Sequence, residues 1–164
     1  MAHAHERHSR VVGLAIGLAL LLVALGGWAG GPSPIAKTDR CPVCGMFVGR
    51  YPDFAAQIEL AAGGVLHFDG VKDLFKCYLG QAGQDVGCKA RDWGAVWVRD
   101  YVSLAWIDGR QAFFVIGSDV FGPMGRELIP FAAEAAARAF VEIHGGTRVL
   151  RFGEITPELI VQLD

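Results

Sequence analysis

Between Val11 and Gly31 the chain carries no charge (VVGLAIGLALLLVALGGWAGG). Twenty-one such residues in a helix, at ~1.5 Å each, span about 30 Å, the thickness of a bilayer's hydrocarbon. A run this long and this apolar divides the chain in two. Upstream, Met1–Arg10 is polar, with Arg7, Arg10 and the histidines His3, His5 and His8. By the positive-inside rule those arginines stay in the cytoplasm, and everything after Gly31 is exported. Two fates fit the segment. An uncleaved single-pass anchor is favoured by its length and by Trp28, and a signal peptide could be cut at the loose small-x-small site Gly27-Trp28-Ala29. No cysteine closes the apolar run, so a lipidated N-terminus is not expected; Cys41 lies beyond a Pro-Ser-Pro linker. The organisation expected is an anchor or signal segment over 1–31, a linker over 32–40 and one domain over 41–164.

The chain beyond the apolar run is long enough for one domain with a real core. The whole chain is 52% apolar and 20% charged, which excludes a disordered protein. Removing Arg7, Arg10 and Glu6 from 15 basic and 17 acidic residues leaves the exported part at −3. A mildly acidic domain has no electrostatic reason to seek nucleic acid. The 22 glycines follow no three-residue period, so a collagen-like chain is excluded as well.

Along the exported part, Phe54–Leu60 and Val65–Asp69 flank Gly63-Gly64 and read as a β-hairpin. Asp69 is placed to cap a helix whose apolar residues Val71, Leu74, Phe75 and Tyr78 recur at i, i+3, i+4 and i+7, with Gly80 ending it. A loop holding Cys88 leads to a strand over Ala95–Tyr101. The second half repeats the order. Ser103–Ile107 and Ala112–Gly117 flank Asp108-Gly109, a hairpin signal. The loop Gly117–Gly125 precedes a helix starting near Pro130, with Ile129, Ala132, Ala133, Ala136, Phe140 and Ile143 as its apolar stripe. Gly145-Gly146 stops that helix, Arg148–Phe152 forms a strand, and Thr156-Pro157 starts a short final helix. Strand–strand–helix–strand occurs twice, which predicts an α+β fold of two similar ββαβ halves sharing one core.

The chemistry concentrates in sulfur. Besides Met1 there are two methionines, Met46 in Cys44-Gly-Met46 and Met124 in Gly122-Pro-Met124-Gly125. Core methionines fill gaps on helix or strand faces, whereas Gly-Pro-Met-Gly is turn chemistry. Thioethers in glycine-flanked loops, one of them two residues from a cysteine, suit a soft ion such as Cu(I), as thiolate does; the plainer alternative is that both pack on the domain. Cys41-Pro-Val-Cys44 admits a Cu(I) site, a disulfide, a redox pair or a structural zinc site. Zinc lacks a second close pair, because Cys77 and Cys88 are eleven apart. The redox reading lacks a helix after Cys44, and a disulfide would close a small loop. Cys77 and Cys88 read as a disulfide or as buried thiols rather than ligands. His67 alternates with Leu66 and Phe68, which puts it with Asp69 on the opposite, exposed face; His144 suits a helix C-terminus. No nucleophile elbow, P-loop or carboxylate pair at catalytic spacing is present.

Taken together these motifs resemble the NosL family, copper-binding accessory proteins of nitrous oxide reductase. The likeness rests on Cys41-Pro-Val-Cys44-Gly-Met46, His67-Phe-Asp69 before a helix, Val98-Arg-Asp-Tyr101 with Trp106 and Asp108, Gly117–Phe131 around Gly-Pro-Met124-Gly, and His144-Gly-Gly146. It covers nearly all of residues 40–155. The resemblance implies a doubled ββαβ fold, shared with organomercurial lyase. It also implies an extracytoplasmic Cu(I) metallochaperone, not an enzyme, that supplies copper for maturation of nitrous oxide reductase or a related copper enzyme. Its partners would be copper, the client with its assembly machinery, and the membrane through the N-terminal helix. Carried over, the ligands are Cys44, Met46 and Met124, with Cys41 a further candidate. The rival class is a thiol-based enzyme, either a disulfide oxidoreductase or a protein like organomercurial lyase. Lyase chemistry needs an acid beside the thiols, and none is evident in the sequence.

Overall fold

A computed structural model describes residues 31–82, 88–89 and 92–164. The expected anchor or signal segment, Gly31 apart, lies outside the described residues. Among those described, no helix is long and apolar enough to cross a membrane. Pro32–Asp164 is one compact unit.

Its first half runs β1 (Ala56–Leu60), β2 (Val65–Phe68), α1 (Val71–Tyr78) and β3 (Trp93–Arg99), followed by β4 (Trp106–Asp108). These strands form one antiparallel sheet in the order β2-β1-β3-β4. The second half runs β5 (Phe113–Ile116), a two-residue-per-strand hairpin of β6 (Phe121–Gly122) and β7 (Gly125–Arg126), β8 (Ile129–Phe131), α2 (Glu134–His144) and β9 (Arg148–Arg151). Its sheet has the order β8-β5-β9. In each half the first strand is flanked on one side by the strand just before the helix (β2 beside β1, β8 beside β5) and on the other by the strand after it (β3, β9). The doubled ββαβ arrangement is therefore present. A final helix, α3 (Pro157–Gln162), starts where Thr156 Oγ1 accepts the Leu159 N–H.

Three local expectations are corrected. Asp108-Gly109 does not make a hairpin: β4 pairs with β3, and the chain crosses there to the other sheet. Gly109 lacks the left-handed backbone that a two-residue hairpin turn requires. It is glycine because a Cβ would meet Val96 Cγ1 at 2.8 Å. Pro130 does not start a helix. It sits in β8 opposite Phe114, and α2 begins at Glu134. β8 is an edge strand, where a missing N–H breaks no ladder. Ile129 is accordingly a strand residue, not part of the α2 stripe. Asp69 does not cap α1; the N-cap is Gly70, without a side-chain hydrogen bond.

The shared core joins both halves. Ile58, Phe68, Leu74, Phe75, Val96 and Val98 pack with Phe114, Ile116 and Leu150. A second cluster lies beyond β5, where Val115, Ile129 and Phe131 meet Ala137 and Phe140 of α2. Alternation along a strand sends Phe114 and Ile116 one way and Val115 the other. This is why Phe113–Ile116 is continuously apolar, and why there are two core clusters where one was expected. Pro32–Arg40, expected to be a linker, lies along the domain: Gln57 Oε1 accepts the Ser33 N–H at 2.9 Å, and Gln57 Nε2 donates to the Ser33 carbonyl at 2.7 Å. Cys77 at the end of α1 is disulfide-bonded to Cys88.

Candidate metal centre

The site is built from one short loop and one helix start. An isolated bridge between Arg40 and Phe47 closes the loop. Inside it the Cys41 N–H donates to the Met46 carbonyl and the Gly45 N–H to the Cys41 carbonyl, both at 2.9 Å. Gly45 supplies the left-handed turn this reversal needs, at φ +78°. The loop buries Cys41 and leaves Cys44 half-buried. Opposite it, the chain leaves β2 at Asp69, crosses Gly70 and enters α1. Asp69 is the last residue before the extended N-cap Gly70 and Asp73 lies in the first helical turn, and the fold brings both carboxylates to the same place.

The two thiols face the two carboxylates. Cys41 Sγ donates to Asp73 Oδ2 at 3.2 Å, and Cys44 Sγ donates to Asp69 Oδ1 at 3.3 Å. Ligand atoms of all four residues lie within 4.8 Å of one another. Both aspartates are buried, and Asp69 Oδ2 and Asp73 Oδ1 have no hydrogen-bond partner. Buried polar atoms without partners are uncommon in native proteins. Two such oxygens around paired thiols leave coordination capacity that a cation would satisfy.

Desolvation sets the protonation state. Burial is the main force lifting Cys44, pushed up to about 12, with hydrogen bonds to Asp73 and Asp69 adding to it. Burial likewise carries Cys41 above the ordinary thiol range, with the negative charge of Asp73 contributing. Burial also raises Asp73, opposed by the hydrogen bonds from Cys44 and Cys41. Without metal, then, Cys41 and Cys44 are free, protonated thiols. The two are not joined as a disulfide here, and a raised thiol is the opposite of the depressed one a disulfide oxidoreductase uses.

The expected ligands are placed unevenly. Cys41 and Cys44 come together. Met46, half-buried, closes the thiol loop through its carbonyl. Met124, 40% exposed, sits in the turn between β6 and β7. Its carbonyl accepts from Lys72 Nζ at 2.8 Å, and Pro123 beside it lies 3.8 Å from where a Cβ on Gly70 would be, so the turn rests on the start of α1. The expected ligand set omitted Asp69 and Asp73. Their signal was two acids four apart bracketing a glycine that cannot cap with a side chain. They are also the acids whose apparent lack weighed against a lyase-like site. His67 is not exposed: its side chain is 12% accessible, and Nδ1 lies 2.6 Å from Asp39 Oδ2. It braces the segment leading into Cys41. His144 ends α2, stacked on Phe140 and paired with Asp119.

Two ββαβ halves, with thiols of one loop turned onto carboxylates at a helix start, define a class of α+β domain with a candidate metal centre. A model of the NosL family matches residues 32–160, and the chain belongs to that family. The chain is 31% identical over 137 residues to the copper-binding lipoprotein NosL of Stutzerimonas stutzeri, covering 79% of this chain and 68% of that one. It also resembles the crystal structure of the copper chaperone NosL from Shewanella denitrificans, with 28% identity and a TM-score of 0.66, covering 78% of this chain and 97% of that one. Both relatives are named for binding or carrying copper, a non-enzymatic accessory role.

Proposed function

We propose that this domain is a Cu(I) chaperone on the extracytoplasmic side of the membrane, carrying copper for maturation of nitrous oxide reductase or a related copper enzyme. The observation that carries this reading is the meeting of Cys41 and Cys44, as free thiols, with a helix start on which the Met124 turn also rests. Thiolate and thioether are the donors Cu(I) prefers. Cys44, the more accessible thiol, is the anionic anchor. Met46 and Met124 add neutral, weaker sulfur bonds, and Cys41 is a second thiol in reserve behind it. Weak thioether bonds let an incoming ligand of the client replace them one at a time, so the ion changes hands without ever being bare. Asp69 and Asp73 hold the thiol protons by hydrogen bonding until metal displaces them. The Cys77–Cys88 disulfide fits an oxidising compartment, and residues 1–31 would hold the domain at the membrane.

A second reading has its own support. Two thiols and two carboxylates with unpartnered oxygens also form an S₂O₂ set suited to a borderline divalent ion such as Zn(II). Anaerobic titration with Cu(I) against a calibrated competitor, repeated with Zn(II), tests both. Tight stoichiometric Cu(I) binding lost in Cys44→Ser supports the chaperone. Cu(I) affinity no better than that of free thiols, alongside tight Zn(II) binding, overturns it.

A further inference from the structure

We infer that Lys72 and Glu127 are positioning residues of the metal site, which together clamp the Met124 turn onto the helix start carrying Asp69 and Asp73. The inference rests on the reading of Met124 as a ligand. Lys72 is 1% exposed, and lysine is almost never buried unless its charge is met. Its Nζ donates to the Met124 carbonyl at 2.8 Å and to the Leu163 carbonyl at 3.2 Å, and lies 3.3 Å from Asp164 Oδ1. An apolar side chain fills buried volume as well as an ion pair does. What it cannot supply is a directional grip on backbone carbonyls, that of Met124 held at the shorter distance.

Glu127 grips in the opposite direction. It lies just after β7, in the second half of the domain, and its Oε1 accepts the Lys72 N–H at 2.6 Å and the Leu128 N–H at 2.9 Å. Gly70, the N-cap of α1, has no side chain to offer, so a carboxylate from the other half satisfies that helix start instead. The slot holding Glu127 explains two glycines. A Cβ at Gly70 would lie 2.4 Å from Oε2, and one at Gly122 would lie 2.8 Å from it. The turn is thus held through Gly122 against Glu127 and through its own carbonyl against Lys72. The side chain of Met124 is left as its free part.

Cu(I) competition titrations on the full chain test this with Lys72→Met, Met124→Ala and the double variant. Loss of the charge-assisted hold in Lys72→Met, or of the thioether it positions in Met124→Ala, predicts that each single change weakens Cu(I) binding about tenfold, and that the double variant is no weaker than either. The Cu(I)-induced shift of the Met124 methyl resonance should also vanish in Lys72→Met. Wild-type affinity in Lys72→Met, or a double variant showing both losses in full, overturns the positioning role. Unchanged affinity in Met124→Ala instead removes the ligand on which the inference rests. Should Lys72→Met not fold, Glu127→Gln keeps the acceptor oxygen and should bind like wild type, whereas Glu127→Ala should bind about tenfold more weakly. Equal affinity in those two variants would refute the proposal as well.

Discussion

The protonated thiols make the pH dependence of copper binding a count of the cysteines that take part. Cu(I) binds thiolate, so protons compete with it, and apparent affinity rises with pH until the thiols ionise by themselves. Cys44 is pushed up to about 12 and Cys41 is carried above the ordinary thiol range, both chiefly by burial. Across pH 7 to 9 neither thiol ionises in the metal-free protein. Each thiol proton expelled therefore makes affinity rise about tenfold per pH unit, and two make it rise about a hundredfold. The assay is an anaerobic competition titration at several pH values, corrected for protonation of the competitor. A slope of two means that both cysteines bind as thiolates, and Cys41→Ser should then reduce it to one. A slope of one that survives Cys41→Ser but not Cys44→Ser assigns Cys44 alone. A flat profile would refute the reasoning, since it requires thiols already ionised before metal arrives or thiols that never bind it.

Met124→Ala should weaken Cu(I) binding yet leave the metal-free thermal transition close to wild type, because the side chain is 40% exposed; calorimetry with a competition titration checks both. Replacing Cys77 and Cys88 with alanine opens a cross-link with a sequence separation of 11. Chain entropy puts the loss near ~3 kcal/mol, readable as a lower urea midpoint. Glu127 is buried and lifted by desolvation to about 8 from an ordinary 4.5. Its neutral form is favoured by folding, so its contribution is full below about pH 4.5 and fades as pH rises through about 8. Urea melts across that window should show the decline, and Glu127→Gln should flatten it. Gly70→Ala would press a methyl group into Glu127 Oε2, and overpacking of this kind costs about 1–3 kcal/mol. Denaturation curves measure it, and a neutral result would mean that the carboxylate shifts freely.

Local pattern carried much of the fold. The i, i+3, i+4, i+7 stripe from Val71 to Tyr78 located α1, Gly80 at φ +74° ended it, and Thr156-Pro157 opened α3. Those features depend on periodicity and backbone preference, which act between near neighbours. The same signals predict the repeated order of elements with the wrong strands in its second half: the strand expected over Ser103–Ile107 joins the first sheet as β4, and β8 takes its place beside β5. Sulfur placement likewise marked the Cys41–Met46 loop and the Gly-Pro-Met-Gly turn, because glycine next to a soft donor is unusual wherever it occurs. Three-dimensional packing decided the rest. Asp108-Gly109 carries the chemistry of a hairpin, but the close approach of Val96 gives that glycine a different purpose. Pro130 has the look of a helix start, yet β5 recruits it as an edge strand through pairing with Phe114. Asp69 has the chemistry of a cap, but Cys44, 25 residues earlier, claims its carboxylate. Burial, which raises the thiols and strands two carboxylate oxygens, depends on what both halves place around one helix start. No window of sequence contains that information, because the atoms responsible become neighbours only when the chain is folded.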